Sequence, residues 1–335
     1  MAIFWDSFAT TNKYSGIGVY SSKLLDGLEK QGVKPSMEAT NSLLSSKLSH
    51  FLYLNYKSFD YKNDIFHGLA NFNVPIANPN IKSVLTIHDI IPLIARGQVS
   101  KSSNLQLNYL LKLVLPRVKE IICVSSWTKN CLDEYFSNYN LHLKTTVIPN
   151  GFSKFEPLNK EESSKISVLF VSRFEEYKNF SLLKKIIESS NPDKVHFDIV
   201  TDITGMDFLK SVNSSNYSPY HQVDDSTLKS LYKKSSLLIH TSSYEGFCLP
   251  AMEAIKYARP VLYLKGSAID QTVGQDGFGM DSITNIEMWN DKILELAGEA
   301  YYNEFISNVS SHIDSRPSWQ NNAHMVKDIY SKLGG

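Results

Sequence analysis

Two glutamates, Glu245 and Glu253, stand eight residues apart in "YEGFCLPAMEAI" (244–255), with almost nothing else polar between them. Carboxylates accept hydrogen bonds from hydroxyls, which suits them to hold a sugar or a ribose. Gly246 lets the backbone approach a ligand closely. Pro250 suits the first turn of a helix, and the amides before that helix can cradle an anion. Glu253 would then fall in the first helical turn, and Glu245 in the loop at a strand end. Taken singly, Glu253 also reads as an acid favouring the helix dipole, and Glu245 as a solvated loop charge. Neither reading explains the apolar, tightly turned loop between them. A second pair lies in "VSRFEEYKNF" (171–180). Arg173 directly follows an apolar run, and Lys178 sits where "KNF" opens a helix. Two cations at a helix N-terminus suit a phosphate or diphosphate. Taken alone, beside Glu175 and Glu176, they read rather as two surface cations.

Short apolar runs must position these residues. They are 2–5, 64–67, 83–88, 120–125 and 145–149, then 166–172, 194–200, 236–241 and 260–264. They are β-branched and apolar on both faces, as in buried parallel strands. Helical patterns lie between them at 17–30, 105–118, 126–137, 179–190, 226–234 and 250–258, and the chain reads as helical from about 285 onward. Such alternation predicts a doubly wound α/β sheet. The polar run "GFSKFEPLNKEESSK" (151–165) interrupts it and reads as an interdomain linker. Each side then has its own sheet, with a cleft between. Ligands of open α/β sheets bind beyond the carboxyl ends of the strands. Gly16, Gly18, His67, Gly68, His88, Asp89, Ser125, Ser126, Arg173 and Glu245 all follow strands.

The 335 residues suffice for two domains, and 42% hydrophobic with 20% charged residues fits a globular protein with real cores. Lysine plus arginine and aspartate plus glutamate both number 34, which argues against a general nucleic-acid binder. Three cysteines, Cys123, Cys131 and Cys248, with no Cys-x-x-Cys spacing, read as reduced thiols in a cytoplasmic protein with no structural zinc. The N-terminus has no basic start or long apolar run, so no signal peptide is expected. No run approaches the length of a membrane span.

"EGFCLPAMEA" (245–254) resembles the E-x7-E signature of the retaining GT-B glycosyltransferases of family 4, the glycosyl transferases group 1. Cys248 stands where that family commonly has glycine. "SGIGVYSSKLL" (15–25) is similar to its N-terminal glycine-rich loop. "DIFHG" (64–68), "TIHDIIPL" (86–93), "VSSWTKN" (124–130), "VIPNGF" (147–152), "SRFEEYKNF" (172–180) and "PSWQNNA" (317–323) follow in the family's order. The resemblance implies two Rossmann-like domains facing a central cleft. An acceptor domain would span 1–155 and a nucleotide-sugar donor domain 156–315, with a C-terminal helix over 316–335 crossing back. It also implies roles. Arg173 and Lys178 would neutralise the donor diphosphate. Glu245 would bind donor-sugar hydroxyls, helped by the amides of Gly246, Phe247, Cys248 and Leu249, and Glu253 would bind the ribose. Gly16 and Gly18 would let a loop close over the diphosphate. His88 would lie near the transferred sugar, and His67, Asp89 and Ser125 on the acceptor side. His88-Asp89 also reads as a plain turn, and His67 as a packed strand-end histidine.

Two departures stand out. Relatives often carry Ser-x-Pro-Glu where this chain has "GSAIDQTVGQDG" (266–277), with Asp270 and Gln271 near the last two positions. The strand ending at Val200 runs into "TDITG" rather than a valine-glycine turn.

No Asp-x-Asp motif is present, and fixed cations with helix amides can replace a metal. The expectation is a metal-independent, cofactor-free retaining transfer of a mannosyl, glucosyl or N-acetylhexosaminyl group from a GDP- or UDP-linked donor. "SGIGVY" resembles the form in mannosyltransferases that use GDP-mannose. The acceptor would be a glycan or polyprenyl-linked glycan of O-antigen or capsule synthesis. The stretches 42–62 and 105–119 mix aromatics, leucines and lysines. They suit peripheral contact with the inner face of the cytoplasmic membrane, or simply two helices with one buried face each. The rivals are a sugar-nucleotide epimerase on the same plan, a non-catalytic nucleotide-sugar binder, and an NAD-dependent oxidoreductase. The last is disfavoured because Ser21 holds the third glycine position of G-x-G-x-x-G.

Overall fold

The computed structural model describes residues 2–6, 15–38, 47–61, 63–71, 73–95, 97–99, 101–139, 141, 143–158 and 163–334. Residues 42–46 and 62 of the aromatic stretch, 159–162 of the expected linker, and the segments 1 and 7–14 lie outside the described residues. The chain divides into two compact units, 1–151 with 317–335, and 152–316.

The first unit runs β1 (Ile3–Asp6), α1 (Gly16–Glu29), β2 (Ser36–Glu38), α2 (Lys47–Lys57), β3 (Ile65–Gly68) and β4 (Lys82–Ile87). It continues with α3 (Ile91–Ile94), α4 (Lys101–Val114), β5 (Glu120–Cys123), α5 (Ser126–Phe136) and β6 (Thr145–Val147). Its six strands form one parallel sheet in the order β2-β1-β3-β4-β5-β6. Every residue of β3 and β5 is buried, which is why Ile65-Phe66 and Ile121-Ile122-Cys123 read as apolar runs beside His67 and Glu120. The second unit runs β7 (Ile166–Val171), α6 (Phe180–Ser189), β8 (Val195–Thr201), α7 (Ile203–Leu209), β9 (Tyr217–His221) and α8 (Asp225–Lys234). Then come β10 (Leu237–His240), α9 (Leu249–Lys256), β11 (Val261–Leu264), α10 (Ile269–Val273), β12 (Gly277–Met280), α11 (Ile286–Leu296) and α12 (Glu299–His312). Its sheet is also parallel, ordered β12-β11-β10-β7-β8-β9. Counted within the unit that is 3-2-1-4-5-6 read from the other edge, the dinucleotide-fold order. Helices flank both sheets. The spacing Leu182, Leu183, Ile186, Ile187 gives α6 one buried face, each such side chain stabilising by about 1.5–3 kcal/mol.

Nine strands stand within a residue or two of their expected positions, and three were not foreseen. All three, β2, β9 and β12, are sheet edges. Edge strands bury less and tolerate breakers. β9 carries Pro219, and β12 is "GFGM". The stretches 42–62 and 105–119 do yield helices. Phe51 and Leu54 of α2 share a core with Leu107, Leu110 and Leu111 of α4. Leu52 and Tyr56 of α2, and Leu105 and Tyr109 of α4, are exposed. Among the described residues no helix is long and apolar enough to cross a membrane.

The last helix, α13 (Trp319–Gly334), belongs to the first unit. It packs on α1, where a Cβ on Gly27 would meet Ala323 Cβ at 2.7 Å. Gln31 Nε2 donates to Gln320 O at 3.0 Å, and Asn322 Nδ2 to Pro149 O at 2.7 Å. A Cβ on Gly151 would stand 2.3 Å from the backbone of Trp319. Backbone cannot give way as a side chain can, so only glycine fits there. Gly151→Ala is therefore expected to lower stability by about 1–3 kcal/mol, several degrees in a thermal melt. Gly32→Ala is not a fair control, because Gly32 has positive φ. Ser163→Ala, at an exposed position of the second unit, should melt like wild type.

Candidate active site

The candidate residues fall into two groups, one in each unit. In the second unit the sheet order sets the geometry. β7 pairs with β8 on one side and with β10 on the other. The loops after β7 and β10 therefore leave neighbouring strand ends where the winding reverses, the place where doubly wound sheets bind ligands. The first loop carries Arg173 and Lys178, and the second carries Glu245.

Several hydrogen bonds stitch the two loops together. Asn179 Nδ2 donates to Thr241 O and to Ser243 Oγ, both at 2.8 Å. Thr241 Oγ1 donates to Lys178 O at 2.7 Å, and Ser243 N to Tyr177 O at 2.8 Å. Asn179 precedes α6 in the left-handed region, φ 53°, which asparagine tolerates better than most residues. Across this seam Lys178 Nζ reaches Glu245 Oε1 at 2.5 Å. His240 Nε2 reaches the same oxygen, also at 2.5 Å, and Ser242 Oγ lies 2.9 Å from that nitrogen. Burial opposes ionisation of Glu245, but Lys178 and His240 outweigh it and hold the carboxyl well below the ordinary range. Burial likewise opposes charge on Lys178, and Glu245 outweighs it, raising the ammonium above its usual value. Both groups are ionised at neutral pH.

Cys248 precedes α9 with φ 75°, so a side chain occupies a left-handed position that favours glycine. Burial and nearby Glu245 push its thiol well above the ordinary value. His240, Glu245 and Cys248 bring a nitrogen, a carboxylate oxygen and a sulfur within 4.8 Å of one another. A metal would need the thiolate. It would also meet the Lys178 ammonium 2.5 Å from its carboxylate ligand. The three residues fit a metal poorly for those reasons.

Glu253 is the fifth residue of α9, which begins at Leu249 with Pro250 in its first turn. The expected first-turn position is thus corrected, because the helix leaves the tight loop directly. The dipole reading loses its basis, since α9 has no acid in its first turn. Glu253 instead accepts from the buried Tyr232 hydroxyl at 3.1 Å. Behind Tyr232 lies Arg259, fully buried. Its Nε donates to Tyr232 O at 2.8 Å, and its other nitrogens to Lys233, Leu158 and Ala258 carbonyls and the Tyr302 hydroxyl. Phe247 O accepts from Thr272 Oγ1 at 2.5 Å, and Glu245 O accepts from Ala268 N at 3.2 Å. The departing segment 266–277 therefore buttresses the same loop. At "TDITG", Asp202 Oδ1 caps α7 through Gly205 N at 3.0 Å and also accepts from Phe174 N at 3.2 Å. Arg173 is exposed and makes no ion pair among the described residues. It does not join Lys178 at Glu245.

In the first unit the glycines are not a free loop. Gly16 and Gly18 form the first turn of α1, capped by Ser15 Oγ accepting from Gly18 N at 3.0 Å. Ser125 caps α5 in the same way, through Thr128 N at 3.0 Å. Asp89 Oδ1 accepts from Ile91 N at 3.0 Å, which realises the turn. His88 Nε2 donates to Leu69 O at 2.8 Å, and its ring meets Tyr20 edge-on at 4.8 Å. Burial pushes it down to about 4. His67 is fully buried, with Nδ1 2.6 Å from Tyr330 OH and Nε2 2.8 Å from Thr86 Oγ1. Burial, then His88, take it down to about 3. His67 thus braces α13 against the sheet, as a strand-end histidine packed into the core.

Residues 153–310 match the family model for glycosyl transferases group 1. The second unit is a member of that family. An uncharacterized glycosyltransferase of Methanocaldococcus jannaschii is 25% identical over 276 residues, 81% of this chain and 76% of the relative. A serotype-specific mannosyltransferase of Escherichia coli is 21% identical over 331 residues, 91% of this chain and 40% of that longer protein. An Anabaena protein solved with UDP-glucose superposes with TM-score 0.76 at 16% identity, covering 99% of this chain and 100% of that one. The fold is GT-B, two Rossmann-like α/β units, as the sequence resemblance implied. Among the group 1 residues the sequence reading missed His240, Tyr232 and Asn179. His240 carries a signal, a histidine ending an apolar run, but the expected strand 236–241 extends one residue past the end of β10.

Lys178→Met leaves the buried Glu245 charge with only the His240 N–H, and should destabilise by up to about 3–5 kcal/mol. Glu245 has a depressed carboxyl in the fold, so its contribution is present above the ordinary carboxylate range and is lost as pH falls. Without Lys178, burial pulls that carboxyl upward, and ionising it costs stability. Thermal melts of wild type and variant should therefore diverge more at pH 8 than at pH 4.

Proposed function

We propose that this chain is a retaining, metal-independent hexosyltransferase. It would move a mannosyl, glucosyl or N-acetylhexosaminyl group from a GDP- or UDP-linked donor to a hydroxyl of a glycan or polyprenyl-linked glycan in bacterial surface-polysaccharide synthesis. The observation that carries the reading is the Lys178–Glu245 pair at the strand ends where the second sheet reverses. A leaving diphosphate needs fixed positive charge, and a donor sugar needs a fixed acceptor for its hydroxyls. Both stand there, next to the amides that open α9. Lys178 and Arg173 would meet the diphosphate charge, Glu245 the sugar and Glu253 the ribose, held by Tyr232. Gly16 and Gly18 at the N-terminus of α1 would face the diphosphate. His88 is held neutral by burial, and it would act near the sugar as a hydrogen-bonding group rather than a cation. Asp89, Ser125 and the first unit would serve the acceptor. Mannosyl transfer draws support from the named mannosyltransferase relative, and a nucleotide-linked donor from the solved UDP-glucose complex. The exposed Leu52, Tyr56, Leu105 and Tyr109 favour contact with a membrane surface beside a lipid-linked acceptor.

A thermal-shift screen against UDP, GDP, ADP, CMP and their common sugars, with and without EDTA, tests this. One nucleoside diphosphate should raise the melting point, by about 2.7 kcal/mol of stabilisation at a hundredfold excess over its dissociation constant. EDTA should leave that shift unchanged, and Arg173→Ala or Glu253→Ala should remove it. Loss of one fixed charge should also slow transfer roughly 10²–10³-fold. A shift with NAD alone would sink the proposal. Binding without transfer to any acceptor would leave a nucleotide-sugar binder.

A further inference from the structure

His240 ends β10, the strand between β11 and β7, and only 2% of it is exposed. Its Nε2 lies 2.5 Å from Glu245 Oε1. A ring nitrogen that close to a carboxylate oxygen carries a hydrogen and donates it, and Ser242 Oγ at 2.9 Å shares the same N–H. Lys178 reaches Oε1 as well. One carboxylate oxygen is thus engaged by two donors, while Oε2 has no hydrogen bond among the described residues. Oε2 is the atom left to accept from a ligand.

The two donors differ in kind. The lysine ammonium is a point charge on a flexible stem and can follow the carboxylate wherever it turns. The imidazole N–H is directional. It sits on a central strand, its ring stacked near Phe170 at 6.4 Å and 24°. The ring's other nitrogen, Nδ1, is buried with no hydrogen-bond partner. A leucine or phenylalanine at this core position would avoid that penalty, so packing alone does not account for histidine.

We propose that His240 is a positioning residue for donor selection. It fixes the orientation of the Glu245 carboxylate so that Oε2 faces a hydroxyl of the donor sugar. The proposal rests on Glu245 being the donor-sugar carboxylate. Lys178 supplies the charge, and His240 supplies the direction.

The test compares affinity for a sugar nucleotide with affinity for its bare diphosphate, using UDP with UDP-glucose and GDP with GDP-mannose in calorimetric titrations. Wild type should bind the sugar form of one pair more tightly. His240→Leu should lose that preference, by about tenfold or more, while affinity for the bare diphosphate stays within about twofold. His240→Gln can place an amide N–H near the lost Nε2–H and should restore the preference. His240→Asn is one methylene shorter and should not. A sugar preference that survives in His240→Leu overturns the proposal. So does an equal loss of sugar-form and bare-diphosphate affinity. If His240→Leu fails to fold, the Gln and Asn variants decide, and identical behaviour of the two overturns it. Binding of none of the four probes by wild type overturns the donor-site reading of Glu245, and this proposal with it.

Discussion

One carboxylate oxygen, Glu245 Oε1, organises the second unit. It takes a hydrogen from Lys178 at the end of one loop and from His240 at the end of the neighbouring strand. That contact exists only because β7 and β10 are paired, although 65 residues separate Val171 from Leu237 in the chain, by numbering. The parallel crossovers put helices on the faces and leave the strand ends free to carry polar loops. Asn179, Thr241 and Ser243 then tie the loops before any ligand is present. Preorganisation of this kind is what electrostatic catalysis requires, since dipoles already in place need not reorganise during the reaction.

Buried polar groups are satisfied in two ways. The first unit keeps its central histidines neutral. His67 and His88 are driven down to about 3 and about 4 by burial, and each is matched to a neutral partner. Elsewhere a buried acid is held by a partner, Asp6 by His50 and Asn73 in the first unit and Glu245 by Lys178 in the second. Arg259, with no carboxylate beside it among the described residues, is satisfied by carbonyls that include the last turn of α8, where a cation is favoured by the helix dipole. Its reward is indirect. It anchors Tyr232, and Tyr232 holds Glu253.

Interior strands were legible in the sequence because burial on both faces leaves a continuous apolar run, as in β3, β5, β10 and β11. The edge strands β2, β9 and β12 were not, although the edge strand β6 was; Pro219 and the two glycines of β12 are tolerated where one side is unpaired. The short helices α3, α7 and α10 lack a full amphipathic period and left no pattern to read. In the site, Glu245, Lys178 and Glu253 stood out through spacing. Their partners did not, because pairing follows sheet order rather than sequence distance. Arg173 and Lys178 looked like one cluster five residues apart, yet only Lys178 turns inward to Glu245. His67 shows the converse. Its strand-end position suggested a ligand, and the hydroxyls of Tyr330 and Thr86 claim both ring nitrogens.

That last contact sets an order of events during synthesis. Tyr330 lies 263 residues beyond His67, and α13 closes the same core that Trp5, Tyr20 and Leu24 begin. A nascent chain emerging from the ribosome holds every strand of the first sheet long before it holds the helix that seals it. The second unit lies wholly between and has all its own strands and helices first. Every residue up to Tyr330 must be released before Trp5 and His67 find its hydroxyl. The first unit begins before the second and is completed after it, and its unsealed core is the stretch exposed to chaperones and proteases in the meantime.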